Sequence, residues 1–257
     1  MERRVSPSAK HDFAAVIMAA GIGTRMKNPN LAKVMYEING KPMIHYVVDL
    51  AYDLHASRII VIVGYQREVV SAYIRKTHPD VECVVQDPQL GTGHAVLQSE
   101  SSLKSFLGNV LVLSGDVPLL KKETMQRVMA HHADTNAVAT ILTADMDDPT
   151  GYGRIVRNPD RSVKKIVEQK DATPEELAIR EMNSGIYMFN KERLFDGLNH
   201  IGAHNVQNEY YLTDVFEYFW KRHWTISALK ASQVDEIRGV NTVHQLEEAK
   251  AVVESRS

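Results

Sequence analysis

Val16-Ile-Met-Ala-Ala-Gly-Ile-Gly-Thr-Arg-Met-Lys27, with Lys33 close behind, reads as an apolar strand running into a glycine-rich turn that carries cations. Glycines let backbone N–H groups approach a phosphate closely, and Arg25 and Lys33 offset its charge. A dinucleotide-binding turn or a P-loop would open directly into a helix whose N-terminus holds the phosphate. Here Asn28-Pro29 interrupts such a helix, because proline pushes its predecessor out of the α region. Met26 takes the place of the third glycine of G-x-G-x-x-G, and no G-x-x-x-x-G-K-[ST] occurs. The apolar run Arg58–Gly64 leads to Tyr65-Gln66 rather than to the acidic residue that grips a ribose. What remains is a long basic loop after a first strand, built to hold phosphates or else simply solvated.

The chain has 257 residues, 44% of them hydrophobic, enough for one large α/β domain or a domain with a sizeable insert. Lysine and arginine total 30 against 32 acidic residues, a formal net charge of -2, which argues against nucleic-acid binding as the main activity. Cys83, inside the apolar run Val81–Val85, is the single cysteine and reads as core filler. With no internal disulfide possible and no zinc-spaced Cys/His pair, a reducing cytoplasm fits. No apolar run approaches the ~20 residues that span a bilayer, so no membrane partner is expected. Residues 1–11 read as a frayed polar tail without the apolar stretch of a signal peptide.

Strand-like runs alternate with amphipathic helical stretches through the first half, which predicts a mostly parallel sheet covered by helices. Strands are expected at Phe13–Met18, Arg58–Val63, Val81–Gln86, Asn109–Leu113 and Ala137–Leu142. Helices are expected at Pro42–Leu54, Arg67–Lys76, Gly93–Ser105 and Lys121–His132. In the first helix Ile44, Val47, Val48, Ala51 and Leu54 form a sheet-facing stripe. After Asp147-Asp148-Pro149 the pattern changes. Gly151–Val156 and Val163–Val167 flank the turn-rich Asn158–Arg161 and predict an antiparallel pair. A strand at Asn183–Phe189, helices at Lys191–Leu198 and Leu212–Arg222, a strand at Thr225–Ala231 and a helix at Val243–Glu254 follow. The second half reads as a lid or second lobe, with no flexible linker before it.

Three constellations carry chemistry. Asn109–Leu119 is a buried-strand pattern ending in Asp116, which should face the same crevice as Gly21, since ligands gather at the carboxyl ends of strands in open α/β sheets. A carboxylate there suits Mg²⁺, or it caps the turn before Pro118. Leu90-Gly91-Thr92-Gly93-His94-Ala95 lies between a strand and a helix. Its glycines allow close approach to a base or sugar, and Gln86 and Thr92 supply hydrogen bonds suited to an edge of uracil; it reads equally as an empty helix-start turn. Tyr152-Gly153-Arg154, Glu168, Asn183 and Asn208-Glu209-Tyr210-Tyr211 together suit a hydroxyl- and amide-bearing sugar, though Glu168 alone reads as a surface charge and Asn183 as a strand-edge residue. His131-His132, late in a helix, reads as favourable C-terminal charge.

These segments together resemble the sugar-1-phosphate nucleotidyltransferases over roughly Phe13–Gln245. They are most similar to the uridylyltransferase portion of the bacterial bifunctional N-acetylglucosamine-1-phosphate uridylyltransferase/glucosamine-1-phosphate acetyltransferases. The elements are Ala19–Met26, Lys33-Val34 with Gly40-Lys-Pro-Met43, Gln89–Ala95, Gly115-Asp-Val-Pro-Leu119, Asp148-Pro-Thr-Gly-Tyr-Gly-Arg154, Ile166–Ala172, Met182-Asn-Ser-Gly185, Asn208-Glu-Tyr-Tyr-Leu-Thr-Asp214 and Gly239-Val-Asn-Thr242. The resemblance implies an α/β fold, a Rossmann-like, mostly parallel mixed sheet flanked by helices (the nucleotide-diphospho-sugar transferase fold), with a sugar-binding lobe. It implies a nucleotidyltransferase domain at 12–242, its nucleotide-binding half at about 12–147 and its sugar-binding half at about 148–242, and a C-terminal helix at 243–257.

The activity implied is Mg²⁺-dependent transfer from UTP to N-acetylglucosamine 1-phosphate, giving UDP-N-acetylglucosamine and pyrophosphate. Arg25 and Lys33 would be catalytic. Ala19, Ala20, Gly21, Gly23, Gln86, Gly91 and Thr92 would bind the nucleotide, and Thr92, Gly153, Glu168 and Asn183 the sugar. Asp116 and Asn241 would ligate the metal. Ala32 stands where the family usually has proline, and Ile22 where some relatives carry lysine. No hexapeptide repeats of a left-handed β-helix are present, so neither acetyl transfer nor coenzyme A binding is expected. The same chemistry on another pair, such as UTP with glucose 1-phosphate, and a non-catalytic sugar-nucleotide sensor remain open at this point.

Overall fold

Alternating side chains of the first strand, β1 (Phe13–Ala19), divide between two cores, as a period of two requires. Phe13, Ala15 and Ile17 join one apolar cluster, and Ala14 and Val16 the other. The structure, a computed structural model, describes residues 12–26, 28 and 30–256, so the expected tail at 1–11 and Pro29 lie outside it. A small hairpin follows, β2 (Glu37–Ile38) with β3 (Lys41–Pro42), and then helix α1 (Met43–Asp53). The first half continues with β4 (Arg58–Val63), α2 (Arg67–Thr77), β5 (Glu82–Val85), α3 (Thr92–Leu97), β6 (Asn109–Ser114), α4 (Lys122–Thr135) and β7 (Ala139–Asp145). The second half contains β8 (Arg154–Arg157), β9 (Val163–Val167), α5 (Pro174–Leu177), β10 (Glu181–Asn190), α6 (Lys191–Leu198), α7 (Asp214–Lys221), β11 (Ile226–Lys230) and α8 (Val243–Arg256).

Among the described residues the main sheet runs β11-β7-β10-β6-β1-β4-β5, with the β8–β9 hairpin attached to β10. β1 pairs in parallel with β4 and β6, β4 with β5, and β7 with β11. β10 runs antiparallel to both β6 and β7, so the sheet is mostly parallel and mixed. The chain builds outward from β1 through β4 to β5 and then returns to β6 on the other side of β1. That reversal leaves a crevice at the carboxyl ends of β1 and β6, where α/β sheets of this kind bind ligands. The strands of the second half are built into the same sheet as β1.

The stripe expected on α1 packs as read: Ile44, Val47, Val48, Ala51 and Leu54 are buried in the first cluster with Phe13, Ala15 and Ile17. Cys83, half-buried, packs against that cluster too. On the opposite face α7 presents Phe216 and Phe219 to β10, where the Phe189 and Phe216 ring centroids lie 5.6 Å apart.

Two expectations fail. The helix expected over Gly93–Ser105 ends at Leu97 and gives way to turns through residue 105. Its serines divert the backbone: Ser99 Oγ donates to the Val96 carbonyl, and Ser102 Oγ donates to Glu82 Oε1 across the sheet edge. His132, read as favourable C-terminal charge, is instead buried against β7, where its Nδ1 lies 2.8 Å from Thr140 Oγ1. Burial, with His131 beside it, pulls its pKa down to about 4, so the ring is neutral near pH 7. Sequence also missed the β2–β3 hairpin and the short α5, closed by a Thr173–Glu176 capping box.

A ring held neutral in the fold but titrating near 6.5 when unfolded contributes stability above about pH 6.5. That contribution is lost as the pH falls towards 4, up to about 3 kcal/mol. Asp214, pushed up to about 6 chiefly by burial, acts in the opposite direction, so the comparison with a variant isolates His132. Urea unfolding of His132→Asn at pH 7 and pH 5 is expected to show a smaller acid-induced loss of stability than the wild type.

Candidate active site

The crevice is a cleft of about 1150 Å³, open to solvent, walled by Ala19, Ala20, Gly21, Ile22, Gly23, Lys33, Gln86, Gln89, Gly91, Thr92, Ser114, Asp116 and Glu209. It thus gathers one cation, two carboxylates and all seven residues read as nucleotide-binding. Ile22 is half-exposed at its rim.

The loop after β1 is not a helix start. Thr24–Met26 makes one 3₁₀ turn, and Asn28 Oδ1 accepts the Asn30 N–H at 2.9 Å in a side-chain turn. A second 3₁₀ turn, Lys33–Met35, buries Val34 and so fixes the base of the Lys33 side chain. Gly23 has φ +69°, and a Cβ there would lie 2.5 Å from Lys33 Cβ, so only glycine lets the loop pass the lysine.

Lys33 Nζ pairs with Asp116 Oδ2 and donates to Asn241 Oδ1 at 2.8 Å. Arg25 Nη2 donates to the same Asn241 oxygen at 2.8 Å. Four side chains from three distant segments therefore meet at one point. Asp116 follows the end of β6, where Gly115 N–H donates to the Met18 carbonyl of β1. The Asp116 carbonyl accepts the Val240 N–H at 2.8 Å, which draws the Gly239–Asn241 segment in. Asn241 is then oriented on both sides. Its Nδ2 donates to the Gly239 carbonyl, and its N–H donates to Gln245 Oε1. Gln245 also completes a reciprocal cap with Thr242 at the start of α8, a T-x-x-Q pattern readable in the sequence. Asp116 and Asn241 offer one carboxylate and one amide oxygen beside the Arg25 and Lys33 cations. That hard-oxygen donor set fits a divalent ion of the Mg²⁺ type.

The opposite wall is built by Leu90–Gly93. Gly91 has φ +109°, and a Cβ there would meet the Tyr210 carbonyl at 2.6 Å. Tyr210 N–H donates to the Leu90 carbonyl and Gly93 N–H to the Tyr210 carbonyl, so Asn208–Tyr211 is stitched to this loop and Glu209 reaches the cleft. Thr92 Oγ1 accepts the Leu212 N–H at 3.0 Å. Gln86 is buried, and its Nε2 donates to the Gly91 carbonyl at 2.9 Å, so this amide braces the loop it was expected to serve. Gln89, not singled out from sequence, donates to the Ala20 carbonyl across the cleft floor.

The sugar candidates divide. Thr92 lines the cleft. Gly153 and Asn183 are neighbours, the Asn183 N–H donating to the Gly153 carbonyl at 2.9 Å, while Asn183 Nδ2 donates to the Tyr187 hydroxyl. Glu168 faces a second cavity, of about 1180 Å³, with Asp171, Tyr211 and Asp214, and accepts from Thr213 Oγ1 at 2.9 Å. Burial, with a further push from Asp171, raises the Glu168 carboxyl against the pull of Thr213. Glu168 thus lines this second cavity, whereas Lys33 and Asp116 line the first.

Fold and site together define an α/β nucleotide-binding protein whose phosphate loop faces a paired carboxylate and amide. The chain belongs to the nucleotidyl transferase family, whose profile matches residues 14–250. It is 46% identical over 242 residues to the "Bifunctional protein GlmU" of Halalkalibacterium halodurans, covering 94% of this chain and 52% of that protein. It is 48% identical over 243 residues to the protein of that name from Exiguobacterium sibiricum, covering 95% of this chain and 53% of that one. The chain spans about half the length of these curated relatives. Its fold matches a solved UDP-glucose pyrophosphorylase complexed with UDP-glucose with a TM-score of 0.78 at 19% identity, covering 96% of this chain and 100% of that one. Members of the family generally depend on a divalent metal. Among the described residues no helix is long and apolar enough to cross a membrane.

Gly91→Ala is expected to destabilise the protein by about 2 kcal/mol, the scale of forcing a methyl into closed space, and to raise the KM for the nucleotide as the loop pulls off Tyr210. Urea unfolding and steady-state kinetics check the two parts.

Proposed function

We propose that this chain joins UTP to N-acetylglucosamine 1-phosphate, releasing pyrophosphate and forming UDP-N-acetylglucosamine in a cytoplasmic setting. The observation that carries the reading is the meeting of Arg25, Lys33, Asp116 and Asn241 at the mouth of a nucleotide-sized cleft. The relatives at 46–48% identity support the choice of substrates. The proposed division places the nucleotide on 12–147 and the sugar on 148–242, with α8 closing the metal corner through its cap.

The sugar-phosphate oxygen attacks the α-phosphorus in line with the departing pyrophosphate. Two anions must meet, and each pair of unit charges ~4 Å apart repels by about 4 kcal/mol at an effective dielectric near 20. Lys33 and Arg25 supply preorganised positive charge where negative charge accumulates in the transition state. Asp116 and Asn241 would hold Mg²⁺, which when bound neutralises phosphate oxygens and fixes their orientation. The Gly21–Gly23 turn lets the backbone come close to the triphosphate, and Gly91 and Gln86 form the wall against which uracil would lie. For the sugar, Thr92, Gly153, Glu168 and Asn183 are the proposed contacts. Their support is that Gly153 packs on β9, whose end leads directly into Glu168, and that its carbonyl holds Asn183. A phosphate monoester is already ionised near neutral pH, so no general base is required.

Lys33→Ala and Asp116→Asn are each expected to lower turnover by roughly a hundredfold or more, the scale of losing one preorganised contact of this type. Near-normal turnover in either folded variant refutes the role given to that residue. Pyrophosphate release measured with UTP and a panel of sugar phosphates is expected to favour N-acetylglucosamine 1-phosphate over glucose 1-phosphate. Nucleotide binding without turnover on any member of the panel would leave a sensor rather than an enzyme.

A further inference from the structure

On the far side of α1 from the sheet, His45, Asp49 and His78 converge, with one ligating atom from each lying within 4.8 Å of the others. His45 and Asp49 are one turn apart on α1, so they share a face, and His78 caps the C-terminus of α2. Asp49 bridges the two rings. Its Oδ2 is 3.2 Å from His45 Nε2, and its Oδ1 is 2.9 Å from His78 Nε2.

We propose that these three residues form a binding site for a divalent transition-metal ion of the zinc type, separate from the cleft. Two imidazoles and a carboxylate are the donor set such ions prefer, with water completing a four-coordinate shell, whereas Mg²⁺ and Ca²⁺ favour oxygen alone. The far nitrogens argue the same way. His45 Nδ1 lies 3.0 Å from the Tyr73 hydroxyl and His78 Nδ1 lies 2.8 Å from Thr77 Oγ1. A hydroxyl accepts as readily as it donates, so both rings can hold their proton at Nδ1 and turn the Nε2 lone pairs towards Asp49. This is the supporting shell that fixes ligating histidines in metal sites.

Access and charge fit as well. The two histidine side chains are 13% and 7% exposed, while Asp49 is 46% exposed and provides the entry side. Asp80 and Glu37 add negative potential at the neighbouring tyrosines, against Lys41 at His45. With a metal at the two Nε2 atoms each ring keeps its one proton on Nδ1, and the ion clamps α1 to the end of α2.

The test uses the full chain, stripped with a chelator and held in excess Mg²⁺ so that oxygen-donor sites are filled. Titration with Co²⁺ alone is expected to give visible d–d bands of a four-coordinate site that saturate at one equivalent, and Zn²⁺ is expected to displace them and raise the melting temperature. His45→Gln and Asp49→Asn, verified as folded by circular dichroism, are expected to lose the bands and the shift. Asp116→Asn is expected to retain both. Tyr73→Phe keeps all three ligands and is expected to weaken Co²⁺ by about tenfold or more. Absence of saturable binding in the wild type overturns the site, as does binding that survives unchanged in both ligand variants.

Discussion

The Lys33 ammonium sits between two oxygens, the carboxylate of Asp116 and the amide of Asn241, and the rest of the site is arranged around that contact. Each partner arrives by a different route. Lys33 is carried on a 3₁₀ turn anchored by Val34, Asp116 by the end of a buried parallel strand, and Asn241 by the cap of α8. Remove any one anchor and the remaining groups lose their common focus, because no two of them belong to one secondary-structure element. The lysine and the aspartate are only partly buried, with side-chain exposures of 16% and 19%. Their pairing is thus open to the cleft rather than sealed as a structural ion pair. An internal cation holding the acceptors in place keeps the corner assembled before a substrate arrives.

The sheet explains why the corner lies where it does. β1 and β6 are adjacent and parallel, yet the chain visits β4 and β5 between them. Their carboxyl ends therefore open without a covering connection. The antiparallel β10 then inserts between β6 and β7 and brings the second half under the same opening. A separate domain would have required a linker and a second core. Here the strands share one sheet, and Tyr210 is bonded through its backbone to the Leu90–Gly93 loop, so the two walls are coupled through backbone hydrogen bonds.

Much of this was legible in sequence because it rests on short-range pattern. The period-two alternation of β1, the stripe of α1 and the β8–β9 turn each encode their own burial. The loop glycines and the terminal Asp116 were read to one crevice for the same reason, and they line one cleft. The misses are long-range. Ser99 and Ser102 look like ordinary helix residues until Glu82 and the Val96 carbonyl are placed beside them. His132 looks like a surface charge until β7 supplies Thr140. Glu168 carries no mark in sequence of the separate cavity it faces, since that depends on how Thr213 packs against it.

Ala32, at a position where the resemblance leads one to expect proline, shows how such a long-range partner alters a local reading. From sequence, losing a proline before Lys33 predicts a looser loop, because the free N–H and wider φ range enlarge the accessible conformations. In the fold, Ala32 keeps φ at −57°, the value a proline would impose, and its N–H donates to Gln66 Oε1 at 2.8 Å. Gln66 itself occupies the left-handed region at the start of α2, two residues after Gly64, whose missing side chain leaves room for Ala20 and Gln89. The rigidity that a ring would supply is replaced by a hydrogen bond from the second βα connection to the first. A residue that stands where a ribose-gripping carboxylate would be, at the end of β4, is thus the one that steadies the loop carrying Lys33. A proline could not use it, because it has no N–H to donate.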